Sequence, residues 1–172
     1  YMNNKIKPAV IGLGYVGLPI FQRLKNKFST IGFDTNKARI KELLKYKDEN
    51  LEFTKKQLKT NKNSFFTNNF LDLKKSNFFI VTVPTPIFKN NSPDLRNLIS
   101  ASNTLAKVVK RNDIIFFEST VYPGVTKKIC VPIIEKKTNL KEGIDFFAGY
   151  SPERINPGDK KHQIEKINKI IA

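Results

Sequence analysis

Short apolar runs of strand length alternate along the chain with longer stretches in which apolar residues recur every three or four positions. The runs are AVIGL (9–13), STIGF (29–33), SFFT (64–67), FFIVTV (78–83), IIFFE (114–118) and FFAGY (146–150). Several lack polar alternation, the pattern of strands covered on both faces in a parallel sheet. Between them the spacing predicts helices over 15–27, 36–46, 95–110 and 124–137. In 95–110, Leu95, Leu98, Ile99, Ser102, Leu105, Ala106 and Val109 are expected to form one buried stripe. Pro132 is expected to bend or interrupt the fourth helix. Strand and helix in alternation predict an α/β fold, a doubly wound and mainly parallel sheet with helices on both faces and right-handed crossovers. No internal repeat or linker is visible. The tail HQIEKINKIIA reads as a helix running into an apolar end, as if cut from something longer.

The first junction carries chemistry. Gly12-Leu13-Gly14-Tyr15-Val16-Gly17 is a G-x-G-x-x-G pattern placed directly after a strand and opening a helix. Gly12 permits the tight turn, Gly14 lets the backbone approach a pyrophosphate, and Gly17 allows close packing of helix on strand. The helix N-terminus adds N–H groups and positive dipole for the phosphates. Asp34 ends the second strand, 17 residues past Gly17, where an acid accepts hydrogen bonds from the adenosine ribose and repels a 2′-phosphate. NAD is therefore favoured, although Lys37 and Arg39 follow closely and keep NADP open. The plainer alternative makes Asp34 the cap of a helix begun near Asn36 and the glycines an ordinary turn. The dinucleotide reading gives a Rossmann-like fold with Gly12, Gly14, Tyr15, Val16, Gly17, Asp34 and Arg39 at the cofactor.

Composition narrows the partners. A chain of 172 residues fits one domain, taken over residues 2–172 with Tyr1 before Met2 set aside, and buries about two thirds of its unfolded surface. The net charge of +16 raises nucleic acid as a partner, yet only five of the 31 basic residues are arginine and the lysines are dispersed, with no basic stripe or reader motif. Nucleic acid is accordingly not expected. One cysteine, Cys130, leaves no internal disulfide or Cys-cluster zinc site, which fits a reducing compartment. The lone His162 adds no metal-ligand spacing, so no metal is expected. The amino-terminal stretch imitates a signal peptide but holds Pro8, three glycines and no A-x-A-like cleavage site. The longest uninterrupted apolar runs of the chain reach only about six residues against the roughly 20 that span a bilayer. A cytoplasmic protein without membrane contact is expected.

Three later stretches follow predicted strands: VTVPTPI (81–87), FESTVYPGVT (117–126) and GYSPERINPGDKKH (149–162). All leave carboxyl ends of strands, which border the ligand crevice of an open α/β sheet. With GLGYVGLP, they resemble the NAD-binding domain of the UDP-glucose/GDP-mannose dehydrogenase family, most nearly the UDP-N-acetylglucosamine and UDP-N-acetylgalactosamine 6-dehydrogenases of polysaccharide biosynthesis, the Vi-antigen type. The resemblance runs from about residue 6 to the end. It implies oxidation of a sugar C6 alcohol to a carboxylate with two NAD, through a cysteine-bound thioester that water cleaves. It also implies that Thr120 holds that water and the reacting oxygen, and that Glu153 acts as acid/base near the thioester and contacts substrate. Arg154 is implied to bind substrate or cofactor phosphate, or to pair with a carboxylate. Val83, Pro84, Thr85, Ser119 and Thr120 are implied to line the nicotinamide side.

The sequence departs from the family in two respects. The second acid of the UDP-glucose enzymes falls here on Pro157. The glycine-rich motif of the catalytic cysteine, with its lysine and asparagine, is not matched. Cys130 lies in the apolar KKICVPII and reads as a buried structural thiol. The resemblance thus implies a fragment of a longer enzyme, without the central helical and UDP-sugar-binding domains, unable alone to complete the reaction. It implies a UDP-N-acetylhexosamine as substrate and a homodimer for the full-length enzyme. A stand-alone NAD-binding or regulatory module, a UDP-glucose 6-dehydrogenase, and a 6-phosphogluconate or hydroxy-acid dehydrogenase relative stay open. His162 reads as a surface helix residue without a role.

Overall fold

Parallel strands need both faces covered, and the alternation of side chains along the two central strands supplies the means. A computed structural model describes residues 6–60 and 63–153. The strands are β1 (Pro8–Ile11), β2 (Ile31–Phe33), β3 (Phe65–Thr67), β4 (Phe78–Val81), β5 (Ile114–Glu118) and β6 (Phe147–Ser151). They form one sheet in the order β3-β2-β1-β4-β5-β6, every pairing parallel. This is the doubly wound order whose direction reverses at β1/β4, and it opens a crevice at the carboxyl ends there.

Ala9 and Ile11 of β1, with Phe79 and Val81 of β4, enter one apolar cluster; Val10 and Ile80, the residues between them, enter another. The second cluster is closed by Leu18 and Phe21 of α1 (Gly17–Leu24), Ile40 and Leu43 of α2 (Lys37–Leu44), and Leu58 of the short α3 (Lys55–Leu58). The first is closed by Leu98 and Leu105 of α4 (Arg96–Leu105) and Ile134 of α5 (Val131–Thr138). Each of these large side chains taken out of water contributes about 1.5–3 kcal/mol. Helices on both faces of the sheet follow directly from this alternation.

Three details differ from expectation. α4 ends at Leu105, and its buried stripe is Leu98, Ala101, Ser102 and Leu105, while Ile99 lies 37% exposed. One i, i+3, i+4, i+7 ridge fills the groove, and Ile99, about 100° round the helix, falls outside it. The fourth predicted helix is not broken at Pro132. A wide helical turn over Thr126–Cys130 gives way to α5 just before Pro132, which has no N–H to donate back to that turn. α3 was hidden in a polar stretch, although Thr54 and Gln57 form a capping box there. The tail helix, His162 and Pro157 lie outside the described residues. Among the described residues no helix is long and apolar enough to cross a membrane.

Candidate functional site

The glycine turn is built by close approach at two of its three glycines. Gly12 adopts φ +94°, a conformation side chains rarely take, and its N–H donates to Phe33 O at 2.8 Å. A Cβ on Gly17 would be driven into Gly12 O and Thr82 Oγ1, so helix α1 can start this near the turn only with glycine there. A Cβ on Gly14 would meet nothing within 4 Å. That is the opposite demand: Gly14 faces open space, and the room a side chain would fill is what a pyrophosphate needs to approach the backbone. Tyr15 is exposed and Val16 half-buried beside it. No side chain caps α1 at Val16; within its first turn Leu18 N–H donates to Gly14 O at 3.1 Å, and Pro19 carries no N–H.

Thr82, directly after β4, locks the turn from beneath. Its N–H donates to Ile11 O at 2.9 Å, and its hydroxyl lies 3.1 Å from Ile11 O and 2.8 Å from Gly12 O. Sequence reasoning passed over Thr82; a hydroxyl in the otherwise apolar FFIVTV was the available signal. Asp34 joins the turn from the other side. Its Oδ2 accepts from Leu13 N at 2.8 Å and its Oδ1 from Asn36 N at 2.8 Å. The helix cap proper is Asn36, whose side chain accepts from Ala38 N and Arg39 N, so Asp34 is not the α2 cap. Each carboxylate oxygen keeps lone-pair capacity for a ribose hydroxyl. Arg39 reaches the same turn from α2, with its Nε donating to Leu13 O at 2.9 Å.

The loops after β4 and β5 are stitched together. Thr85 Oγ1 donates to Thr120 O at 2.7 Å and Ser119 Oγ to Val83 O at 3.2 Å. Asn97 Nδ2, another residue not foreseen, donates to Pro84 O at 2.9 Å. Val83, Pro84, Thr85, Ser119 and Thr120 thus form one wall, whose carbonyls are tied down while the Thr120 side chain stays on an exposed residue. Thr120 and the half-buried Glu153 each lie two residues beyond the last β5–β6 pair, Glu118 with Ser151. Arg154 lies outside the described residues.

Cys130 is 1% exposed within the first apolar cluster, and burial pushes its thiol up, the nearby Ser102 hydroxyl offsetting only part of this. A raised thiol yields little thiolate at neutral pH. In the folded protein, iodoacetamide is expected to leave the tryptic peptide carrying Cys130 unmodified until denaturant is added; rapid labelling of the native protein would contradict the buried assignment.

Comparison with known proteins agrees with this geometry. Protein CapL of Staphylococcus aureus is 53% identical over 171 residues, covering 99% of this chain and 40% of its own length. The UDP-N-acetyl-D-glucosamine 6-dehydrogenase of Pseudomonas aeruginosa is 52% identical, with 97% of this chain and 40% of its own covered. The chain therefore spans about two fifths of the curated relatives it matches. Among solved structures, the NDP-N-acetyl-D-galactosaminuronic acid dehydrogenase of Methanosarcina mazei Go1 aligns with a TM-score of 0.85 at 25% identity, over 98% of this chain and 39% of that one. Residues 6–172 match the family described as "UDP-glucose/GDP-mannose dehydrogenase family, NAD binding domain". With its glycine turn, its acid at the end of β2 and its stitched crevice wall, this chain belongs to that family, and it carries the NAD-binding domain.

Proposed function

We propose that the protein carrying this domain oxidises the C6 alcohol of a UDP-N-acetylhexosamine to a carboxylate. NAD, when bound, supplies the hydride acceptor for each of two oxidations. The observation that supports the proposal is that Thr120 and Glu153 each follow, by two residues, the last pair of the adjacent strands β5 and β6, and that Thr120 belongs to the stitched wall. The names of relatives at 52% and 48% identity, both UDP-N-acetyl-D-glucosamine 6-dehydrogenases, support the substrate class.

The residues divide the work. Gly12 makes the turn, and Gly14 and Gly17, with Tyr15 and Val16 at the helix start, receive the pyrophosphate on backbone N–H groups. Asp34 accepts from the adenosine ribose. The wall of Val83, Pro84, Thr85, Ser119 and Thr120 seats the nicotinamide end and excludes water from it. Thr120, held by its own carbonyl, offers its hydroxyl to a water or to the reacting oxygen. Glu153 takes the proton that leaves the C6 hydroxyl side or activates the water, within the same crevice. Arg154, next in the chain, supplies a positive charge for the anionic substrate. Substrate recognition and the nucleophilic cysteine belong to the remaining three fifths of the relatives' length.

Offering the intact gene product UDP-N-acetylglucosamine, UDP-N-acetylgalactosamine and UDP-glucose in turn tests the substrate class. Conversion of an acetylated sugar with little of UDP-glucose is expected. A preference for UDP-glucose contradicts it.

A further inference from the structure

The amide between Gly12 and Leu13 is held from both neighbouring strands. On one side stands Thr82, directly after β4 and buried. Its N–H already serves Ile11 O at 2.9 Å, which leaves the hydroxyl proton to Gly12 O, 2.8 Å away. On the other side stands Asp34, directly after β2, whose Oδ2 accepts from Leu13 N at 2.8 Å. The oxygen that receives the Thr82 proton and the N–H that serves Asp34 belong to one planar unit, so turning that unit breaks both bonds. Hydrogen bonds at the two ends of an amide also polarise each other, which strengthens the bond that Asp34 receives. Gly17 closes over the same oxygen, since a Cβ there would collide with Gly12 O and Thr82 Oγ1. The fully buried Leu13 side chain anchors the far end of the amide.

The Asp34 carboxylate is thus aimed by two backbone N–H groups, Leu13 N on Oδ2 and Asn36 N on Oδ1, each at 2.8 Å. The first of these is set by Thr82. Valine would suit the apolar run FFIVTV as well as threonine does and has nearly the same shape, so the hydroxyl is what the position adds. We infer that Thr82 is a positioning residue for the cofactor: acting through the Gly12–Leu13 amide, it fixes the Asp34 carboxylate that receives the adenosine ribose. A strand that neighbours β1 on one side thereby sets a cofactor contact made from the other.

The inference rests on the ribose contact proposed for Asp34, and the wild type tests that contact separately. Binding to the intact gene product is read from nicotinamide fluorescence for wild type, T82V, T82S, D34N and T82V/D34N, with melting temperatures alongside. T82V keeps the shape and loses the proton, and NADH affinity falls about tenfold, the worth of one good hydrogen bond. T82S restores the hydroxyl and stays within about twofold of wild type. In D34N, itself weakened, adding T82V costs less than about twofold more, because both substitutions remove the same contact. Competition supplies a readout that lost stability alone does not move: ADP displaces NADH from wild type better than 2′-deoxy-ADP does, and T82V narrows that preference. Should T82V fail to fold, T82A, which sets no methyl against the Gly12 oxygen, carries the same expected loss. Unchanged NADH affinity in a folded T82V or T82A overturns the inference. So does a loss that T82S fails to rescue, or one that adds in full to that of D34N. A wild type that binds NADH without preferring ADP to 2′-deoxy-ADP overturns the ribose reading of Asp34 itself, and the inference with it.

Discussion

Gly17→Ala is expected to lower stability by about 3 kcal/mol, a fall in melting temperature of about 6–12 °C for a domain of this size, and to abolish useful NADH binding. The added methyl has nowhere to go, because it meets the backbone carbonyl of Gly12 and the hydroxyl of Thr82, two groups fixed by their own hydrogen bonds. Relief requires α1 to back away from the turn, which moves the N–H groups meant for phosphate and loosens Leu18 and Phe21 in the core. Gly14→Ala is the matched control. Its methyl enters open space, and losing a glycine from the unfolded chain stabilises by about 0.4–1 kcal/mol. The melting temperature should therefore hold or rise while NADH affinity drops. Thermal melts and NADH titration of the two variants distinguish fold from ligand. Equal loss of stability in both would contradict the division of labour among the glycines.

Glu153→Gln is expected to lower kcat of the intact gene product by about 10²- to 10⁴-fold, the usual worth of a positioned acid/base. NADH affinity should be unchanged, because the glycine turn and Asp34 lie on other strands. Gln keeps the size and most hydrogen bonding of the side chain and removes only its proton chemistry. Steady-state rates measured with saturating NAD and sugar check this. A loss smaller than about tenfold would assign the acid/base step to another group.

The sheet was legible because its strands are apolar runs whose alternate residues serve two cores, as Val10 and Ile80 against Ala9 and Phe79 demonstrate. The glycine turn was legible because backbone geometry restricts residue choice, most clearly at Gly12 and Gly17. Residues that act by hydrogen bonding to backbone were not. Thr82, Asn97 and Asp48 are ordinary polar residues in sequence, and only the fold brings Gly12 O, Pro84 O and the Arg39 guanidinium to them. Arg39 shows the same limit: Glu42 and Asp48, three and nine positions on, pair with its guanidinium in the fold, which spacing alone does not indicate. α4 was overextended because periodicity alone does not register where a helix leaves its groove, here at Leu105. Glu153 is singled out by its motif alone, since a carboxylate in a loop carries no chemical signal without neighbours.

The most direct measurement is the number of NADH formed for each UDP-N-acetylhexosamine consumed by the intact gene product. Two NADH per sugar, with a carboxylate at C6 of the product, is the predicted result. One NADH per sugar, or none from a folded protein that binds NAD, would contradict the four-electron oxidation.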